Sequence, residues 1–282
     1  MRRTAEHINE VPVLIWPIPF DVIRMTGVES VDLLQRITTN DFEKFSTGEI
    51  QKTLLVTDKG RILDTVWVHH SGSHLLLIVS SGMAQEVIAF LNKYIIMEDI
   101  TLENCSNEYS VRFHFDPNRT TMRTDFFGSE VSVELIQKTV LFNDPGKQVE
   151  QWRIGQGIPL AKKEIVQDYN PLELNLWDWI SFTKGCYIGQ EVIARLDTYN
   201  KIQRSLCRIS AIDTIIEQDL LQSENGDDAG KITSVVHTDA GFIGLAVIRS
   251  KFAVEQKQLF TDTTRTAVII EQVFQKGIHG RN

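Results

Sequence analysis

An eight-residue stretch around one cysteine is the part of the sequence best suited to chemistry. Residues 184–191 read Lys-Gly-Cys-Tyr-Ile-Gly-Gln-Glu, which puts a cation two residues before the Cys186 thiol and a carboxylate five residues after it. A thiol near a cation and near the start of a helix ionises more readily than a free cysteine, because both stabilise the thiolate. We therefore predict that Cys186 is a nucleophilic, redox-active or metal-accepting thiol, and that Lys184 assists it.

Burial as a small hydrophobic side chain is the alternative for Cys186, since isolated free cysteines are usually buried. The two glycines beside Cys186 are hard to explain by packing, because glycine serves sharp bends and close backbone approaches. Both interpretations therefore stay open. Cys105 and Cys207 lack such neighbours and are predicted to be buried and inert.

Three cysteines are too few, and too widely spaced, for a disulfide framework. A reducing compartment is therefore the better prediction. The sequence contains no C-x-x-C pair, and His69, His70 and His74 surround a predicted hairpin turn without a nearby cysteine or carboxylate. No metal site is predicted.

Further polar candidates lie on predicted strands and helix starts. Asp64 follows the turn at Gly60 and has apolar strand neighbours, so a half-buried carboxylate with a raised pKa could accept a proton or anchor a ligand. A solvated strand face is the simpler alternative. Glu173 and Asn175 follow Pro171 and could hydrogen-bond the amide edge of a heterocycle, although a glutamate at a helix start also stabilises the helix dipole.

Composition excludes several classes of protein. The chain has 282 residues and a net charge of −8, which argues against a nucleic-acid surface. Hydrophobic residues make up 42% and charged residues 23%, as in ordinary globular proteins. No targeting segment and no apolar run of about 20 residues is visible, so we expect a cytoplasmic protein without a membrane span.

The first 200 residues mix strands and helices. We predict an extended segment over residues 11–25, a helix from Ser30 to about Ile37, a meander of strands at 50–56, 62–70 and 75–79, and a helix over 83–94. Short strands then follow at 100–103, 111–115 and 131–135. Helices are predicted from Asp144-Pro145 to about 157, over 171–180, and over 189–197.

The pattern of predicted elements changes near residue 201. Short strands separated by turn signals recur at 206–210, 230–236, 242–248 and 267–271, which is typical of a small β-barrel or sandwich. We therefore predict two regions, residues 1–200 with two intertwined lobes and residues 201–282 as a β-barrel.

A family resemblance rests on several of these segments in order. Residues 184–191 resemble the signature of the YgfZ proteins, which are folate-binding relatives of the glycine-cleavage T protein, an aminomethyltransferase. The resemblance continues in the segments 33–41, 60–64, 153–159, 171–175, 180–183, 192–195 and 230–234. It thus spans most of the chain, and the eight-residue signature is its most specific part.

The resemblance implies an α+β fold, a three-lobed ring of antiparallel sheets with helices and a C-terminal β-barrel. Its central hollow would bind tetrahydrofolate or a derivative. The implied role is in assembling or repairing iron–sulfur clusters of some enzymes, including ones that modify tRNA, so the partners would be iron–sulfur enzymes or assembly proteins. With Cys186 and Lys184 as catalytic residues, the expected folate-binding residues are Asp64, Glu173, Asn175, Tyr187, Gln190, Glu191 and Arg195.

Three differences from the T protein count against its catalysis. The T protein has two adjacent aspartates where this chain has Asp64-Thr65, a pterin-binding glutamate at the position of Gly155, and an asparagine near the position of Ser80. A tetrahydrofolate-dependent aminomethyl- or methyltransferase, with Asp64 as general base, is the alternative function. A scaffold without any ligand is a third possibility.

Overall fold

A computed structural model describes residues 16, 18–115, 122–137, 146–199 and 201–275 of the chain. The predicted extended residues 11–15 and the helix start at Asp144-Pro145 lie outside this described part. Element bounds below refer to it.

The N-terminal part of the chain forms one sheet of five antiparallel strands with two helices packed against it. The sheet has the order β2-β3-β4-β1-β5, and both helices pack on one of its faces. The elements are β1 (Phe20–Thr26), α1 (Ser30–Ile37), β2 (Ile50–Val56), β3 (Ile62–His70), β4 (Leu75–Ser80), α2 (Ala84–Leu91) and β5 (Thr101–Asn104). The helix predicted over 83–94 is therefore shorter at both ends.

Alternate side chains along the strands of this sheet pack into two different hydrophobic cores, one on each face of the sheet. On β4, Leu75, Leu77 and Val79 pack with the two helices, whereas Leu76 and Ile78 join the core on the opposite face. Successive side chains of a strand point to opposite faces, so an all-apolar strand indicates burial on both sides. The second face of the sheet is thus available to build the centre of the molecule.

A three-stranded antiparallel sheet covers that second face. It has the order β6-β8-β7 and consists of β6 (Ser110–His114), β7 (Arg123–Phe126) and β8 (Ser129–Ile136). Its Phe126 ring stacks on Trp67 of β3 with a centroid distance of 5.3 Å, and Phe113 contacts the same tryptophan at 4.8 Å. Strand β7 escaped prediction because its residues, Arg-Thr-Asp-Phe, have no apolar alternation.

Four helical pieces follow, and one prediction about them is wrong. Helix α3 (Gly146–Gln156) ends as predicted, and α4 (Gln190–Thr198) begins directly after Gly189. The helix predicted over 171–180 is instead two short 3₁₀ helices, Pro171–Leu174 and Trp177–Trp179, because Asn175 adopts a left-handed conformation with φ +60° and ends the first one. No helix among the described residues has the length and apolarity to cross a bilayer.

The C-terminal strands close into a six-stranded barrel. Their order is β10-β11-β12-β9-β14-β13, with every pairing antiparallel. The strands are β9 (Arg204–Ala211), β10 (Leu220–Gln222), β11 (Asp228–Thr238), β12 (Gly241–Arg249), β13 (Gln258–Thr261) and β14 (Ala267–Phe274). Closure leaves no unpaired sheet edge, and Cys207 lies buried inside the barrel as predicted. The domain boundary near residue 201 stays a prediction.

A buried ionic network joins α3 to the barrel. Arg153 is fully buried, donates hydrogen bonds to the Ile158 carbonyl at 2.7 Å and to the Ser234 hydroxyl at 2.8 Å, and lies 3.5 Å from the Glu164 carboxylate. Glu164 accepts a hydrogen bond from Ser234 at 2.6 Å. Removing one partner of such a pair costs about 3–5 kcal/mol, because the other charge stays buried. The network therefore holds the 158–164 segment, which lines the centre of the molecule.

Candidate functional site

Two adjoining cavities occupy the centre of the molecule. Their volumes are about 90 and 120 Å³, so each cavity alone is smaller than the roughly 300–1,000 Å³ typical of small-ligand sites. Phe127 and Pro159 line both cavities and form the wall between them. We call them the apolar chamber and the polar chamber, and together the hollow.

The apolar chamber lies between the two sheets. It is lined mainly by aromatic and aliphatic side chains of β1, β3, β7 and the 159–161 segment, with Thr65 and Ser80 as polar groups. Trp16 also lines it, and its buried indole N–H has no hydrogen-bond partner among the described residues. A flat apolar ring with polar groups at its edge would fit these walls, since a buried donor without a partner costs about 1–3 kcal/mol.

Asp64 lies directly behind this chamber and is fully buried. Its carboxylate accepts hydrogen bonds from the Ser80 backbone N–H at 2.9 Å and the Ser80 hydroxyl at 2.6 Å. Burial raises the pKa of Asp64 to about 7, although these hydrogen bonds oppose the rise. Because the Ser80 hydroxyl donates its proton to Asp64, its oxygen is left to accept hydrogen bonds from a group in the chamber.

The polar chamber is lined by Lys52, Gln156, Asn175 and Asp178, with Trp179 as one wall. The Lys52 ammonium pairs with Asp125 and lies 5.5 Å from the centre of the Trp179 ring. An ammonium has three donors, so Lys52 can bind a further anionic group while it keeps this pair. The chamber is therefore suited to a polar part of a ligand, with Lys52 as its one cationic donor among the lining residues.

Glu173 has a structural role in its own segment. Its carboxylate accepts a hydrogen bond from the Asn170 backbone N–H at 3.1 Å, and the Asn170 side chain accepts from the Glu173 N–H, which together form a capping box. Arg61 and Arg204 lie 3.9 and 3.7 Å from the same carboxylate. Burial raises the pKa of Glu173. These contacts match the helix-start alternative, and Glu173 does not line either chamber.

Lys184 anchors the 184–191 loop to the first sheet region. It is buried, and its ammonium donates hydrogen bonds to the backbone carbonyls of Thr38 at 2.9 Å and Asn40 at 2.5 Å. Nearby, the Ser181 N–H donates to the Thr39 carbonyl at 3.0 Å. Burial lowers the pKa of Lys184 to about 8, with Asp41 opposing. The predicted cation is present, but its donors are directed at the backbone of another segment.

Gly189 explains one of the two glycines by packing. It has φ +78°, and a Cβ there would lie 2.5 Å from the Thr57 carbonyl oxygen and 3.2 Å from Gly60. Only glycine permits this approach between the loop and the β2–β3 turn. Gly185, by contrast, has no neighbour within 4 Å of such a Cβ. The expectation that packing explains neither glycine is therefore wrong for Gly189.

The loop holds its thiol outward. Cys186 is exposed, whereas the neighbouring Tyr187 is buried with the Lys184 ammonium 5.4 Å from its ring centre. Burial raises the pKa of the Tyr187 hydroxyl to about 12. Buried side chains on both sides of Cys186 thus fix an accessible thiol, which removes the alternative that Cys186 is a core residue.

The predicted folate ligands do not meet at one cavity. Asn175 lines the polar chamber and Asp64 reaches the apolar chamber through Ser80. Tyr187, Gln190, Glu191 and Arg195 line neither chamber; Glu191 and Arg195 are exposed on α4. Their part in ligand binding stays a prediction.

Among the described residues, one group of three side chains could hold a metal ion, and it contains no histidine. The ligand atoms of Glu103, Cys105 and Glu108 lie within 4.8 Å of one another. Arg24 already binds both carboxylates, at 2.7 and 2.5 Å, and Cys105 is buried with a pKa raised by burial. Arg24 thus already engages both carboxylates, and the burial of Cys105 is in keeping with the inert thiol expected from the sequence.

Sequence reasoning missed Lys52 and Phe127, which come from elements far apart in the chain and belong to no motif. Tryptophans were considered from the sequence equally as pocket walls or core, and Trp67 and Trp179 do line the chambers. The Phe127-Gly128 pair was the available signal, because a glycine preceded by one residue between two strands marks a tight hairpin.

Comparisons with known proteins point to one family. Residues 18–112 match the family model of the GCVT N-terminal domain. A chloroplastic protein of Arabidopsis thaliana is 29% identical over 83% of this chain and 64% of its own length, so the chain spans less than two thirds of that relative. The tRNA-modifying protein YgfZ of Blochmanniella pennsylvanica is 23% identical over 68% of this chain and 69% of its own.

A solved structure confirms the expected fold. The glycine cleavage system aminomethyltransferase T from Bartonella henselae superposes with a TM-score of 0.73, covering 90% of this chain and 83% of its own, at 14% identity. This chain has several antiparallel sheets, few helices and a closed C-terminal barrel. The chain therefore has the fold of the glycine cleavage system aminomethyltransferase T, and part of its sequence is similar to a YgfZ protein.

Proposed function

We propose that the hollow binds a tetrahydrofolate-type ligand. The observation that carries this proposal is the pair of adjoining chambers of opposite character, one apolar with aromatic walls and one polar with a lysine. A reduced folate has the same division, with a flat fused heterocycle at one end and a carboxylate-bearing tail at the other. The heterocycle would occupy the apolar chamber and the tail the polar chamber.

Hydrogen bonds at the edge of the heterocycle would fix its orientation. The Ser80 oxygen, oriented by Asp64, would accept from a ring N–H or amino group. The buried Trp16 indole N–H would donate to a ring acceptor, and Thr65 could do either. In the polar chamber, Lys52 would bind a tail carboxylate, and Asn175 would contribute a further hydrogen bond.

A T-type transferase reaction is not part of this proposal. Thr65 occupies the chamber-lining position of the T protein's aspartate pair, and Asp64, which remains, is bound to Ser80. A hydroxyl in place of that carboxylate lacks the negative charge that would stabilise a cationic intermediate. The hollow is better suited to holding a folate than to moving a one-carbon unit.

The Cys186 thiol would act on a partner protein. We propose that the chain is an accessory factor for iron–sulfur enzymes or their assembly proteins, and that it supports tRNA modification indirectly. A link to tRNA modification is supported by its similarity to the tRNA-modifying protein YgfZ of Blochmanniella pennsylvanica. In a thiol–disulfide exchange, the Cys186 thiolate would attack a partner disulfide, form a mixed disulfide and release the partner's second sulfur as a thiolate. Direct contact with tRNA is not expected at a net charge of −8.

We expect a cytoplasmic location, because an exposed free thiol such as Cys186 persists in a reducing compartment.

Calorimetry tests the folate proposal. Tetrahydrofolate and the tail-less tetrahydropterin are titrated into the wild type and into Lys52→Met. We expect saturable binding of both by the wild type, and a loss in Lys52→Met that is confined to tetrahydrofolate and amounts to about 1.5–3 kcal/mol, the contribution of a hydrogen bond to a charged group. No saturation by the wild type at millimolar tetrahydrofolate would exclude the proposal.

Complementation tests the thiol proposal. A strain lacking its own YgfZ-type protein is supplied with the wild type, Cys186→Ser or Gly185→Ala, and the activity of its iron–sulfur enzymes is measured. Gly185→Ala is the matched control, because its added methyl group meets no atom within 4 Å. We expect rescue by the wild type and the control only; full rescue by Cys186→Ser would refute the role of the thiol.

A further inference from the structure

A strained hairpin tip forms one part of the wall between the two chambers, and Pro159 forms the other. Strands β7 and β8 are joined by the two residues Phe127 and Gly128, and Phe126 pairs with Ser129 across the turn. Both loop residues have positive φ, +47° and +89°, the pattern of a type I′ turn. Asparagine is the preferred first residue of such a turn, whereas a bulky aromatic there is an outlier. The phenyl ring at residue 127 therefore needs an explanation beyond the turn.

The backbone of this tip is fixed on both sides. The Asp125 carboxylate accepts from the Gly128 N–H at 3.2 Å and pairs with Lys52 of β2. The Asp125 carbonyl accepts from the Trp67 indole N–H at 3.1 Å. The hairpin is thus bound to two strands of the larger sheet, and the Phe127 side chain is the part that is left to move.

The Phe127 ring lies between one tryptophan of each chamber. Its centroid is 5.9 Å from that of Trp67, which lines the apolar chamber, and 5.1 Å from that of Trp179, which lines the polar chamber. Phe127 is half-buried, and its other wall partner, Pro159, is rigid. Rotation of one phenyl ring would therefore join the two chambers.

We propose that Phe127 is a movable partition that sets which ligands fit the hollow. A ligand the size of one chamber binds with the partition closed, whereas a ligand that spans both chambers requires the ring to rotate away. Backbone strain at a functional position is retained only where the surrounding structure holds it in place, as Asp125 and Trp67 do here. The inference deepens the proposed folate site, and its ligand-length consequence rests on that proposal.

Fluorine NMR on protein labelled with 5-fluorotryptophan tests the partition without folate. Indole, a small apolar probe, is added to the wild type, to Phe127→Asn and to Phe115→Ala. Phe127→Asn removes the ring and keeps a residue that a type I′ turn prefers, so the hairpin is retained. Phe115 contacts the same Phe126 ring at 5.7 Å but lines neither chamber, which makes Phe115→Ala the matched control.

In the wild type and in Phe115→Ala, we expect indole to shift the resonances of Trp16 and Trp67, which line the apolar chamber, and to leave that of Trp179 unchanged. In Phe127→Asn it shifts both Trp67 and Trp179, because the chambers are joined. A Trp179 shift in the wild type, an unmoved Trp179 in Phe127→Asn, or no response to indole in any variant overturns the partition.

Tetrahydrofolate then separates this inference from the folate proposal. If the open state makes up about a tenth of the wild-type population, removing the ring tightens tetrahydrofolate binding about tenfold in Phe127→Asn and leaves tetrahydropterin binding unchanged. Equal changes for both ligands contradict the partition. Absence of folate binding in every variant, with the indole result as expected, rejects the folate proposal and leaves the partition standing.

Discussion

The hollow and the 184–191 loop are built in opposite ways. The hollow collects side chains from distant elements, such as Lys52, Phe127 and Trp179, around a space inside the molecule. The loop is one continuous segment that buries Lys184 and Tyr187 and leaves Cys186 outside. The segment that is easiest to identify in the sequence therefore does not line the cavity, and each region has its own chemistry.

The largest expected effect is that of replacing Gly189, which packs the 184–191 loop against the β2–β3 turn. We expect Gly189→Ala to lower the free energy of unfolding by about 3–4 kcal/mol, because it combines a positive φ with a Cβ 2.5 Å from the Thr57 carbonyl. Gly185→Ala is the control in the same loop and should stay within about 0.5 kcal/mol. Urea unfolding measures both; similar small losses in the two variants would show that Gly189 is not a packing contact.

In the hollow, the corresponding test concerns Asp64, whose buried carboxyl group makes the stability of the protein depend on pH. Its pKa is about 7 in the folded protein and 3.8 as the unperturbed value, so the folded state binds the proton more tightly and loses stability as pH rises between these values. We expect the stability of Asp64→Asn relative to the wild type to rise by about 2–3 kcal/mol from pH 5 to pH 8. Urea unfolding at the two pH values measures this difference.

Ser80→Ala controls for the hydrogen bonds to Asp64. It removes the hydroxyl donor and retains the carboxyl group, so a pH dependence persists in this variant. A constant difference between Asp64→Asn and the wild type across the range would contradict the raised pKa.

The smallest expected effect on stability is that of replacing Lys184 in the 184–191 loop. Lys184→Met removes the hydrogen bonds of its ammonium to the Thr38 and Asn40 carbonyls, and we expect a loss of about 2 kcal/mol in the free energy of unfolding. The exposed Lys44→Met is the control, with an expected change within about 0.5 kcal/mol. The rate of Cys186 alkylation then tests whether Lys184 assists the thiol, as predicted from the sequence. A slower reaction in Lys184→Met supports that role, and an unchanged rate limits Lys184 to anchoring.

Hydrophobic periodicity predicted most of the fold, because most strands and helices show the pattern within their own residues. Residues 75–79 follow a turn signal and were predicted as a strand, and the apolar spacing from Ser30 to Ile37 matched one helix face. Strands β10 and β13 have only three and four residues, too few for an alternation to be visible. The left-handed Asn175 broke a helix whose apolar spacing looked continuous.

The candidate site was predicted only in part because contacts between distant segments decide it. The exposed thiol at Cys186 followed from local residue types. The engagement of Lys184 with the 38–40 backbone, and that of Gly189 with the β2–β3 turn, depend on how the loop packs against residues more than 100 positions earlier. Asp64 was expected to be half-buried and is fully buried, because it shares a sheet face with Leu55 and Val66, and the helices α1 and α2 cover that face.

Tetrahydrofolate titration of Ser80→Ala and Cys186→Ala, by calorimetry, tests the division between hollow and loop most directly. Ser80 contributes the oriented oxygen in the apolar chamber, whereas Cys186 lines neither chamber. We predict that Ser80→Ala weakens binding about tenfold, the effect of one lost hydrogen bond of about 1.4 kcal/mol, and that Cys186→Ala binds as the wild type does. Loss of binding in Cys186→Ala with full binding in Ser80→Ala would contradict the account.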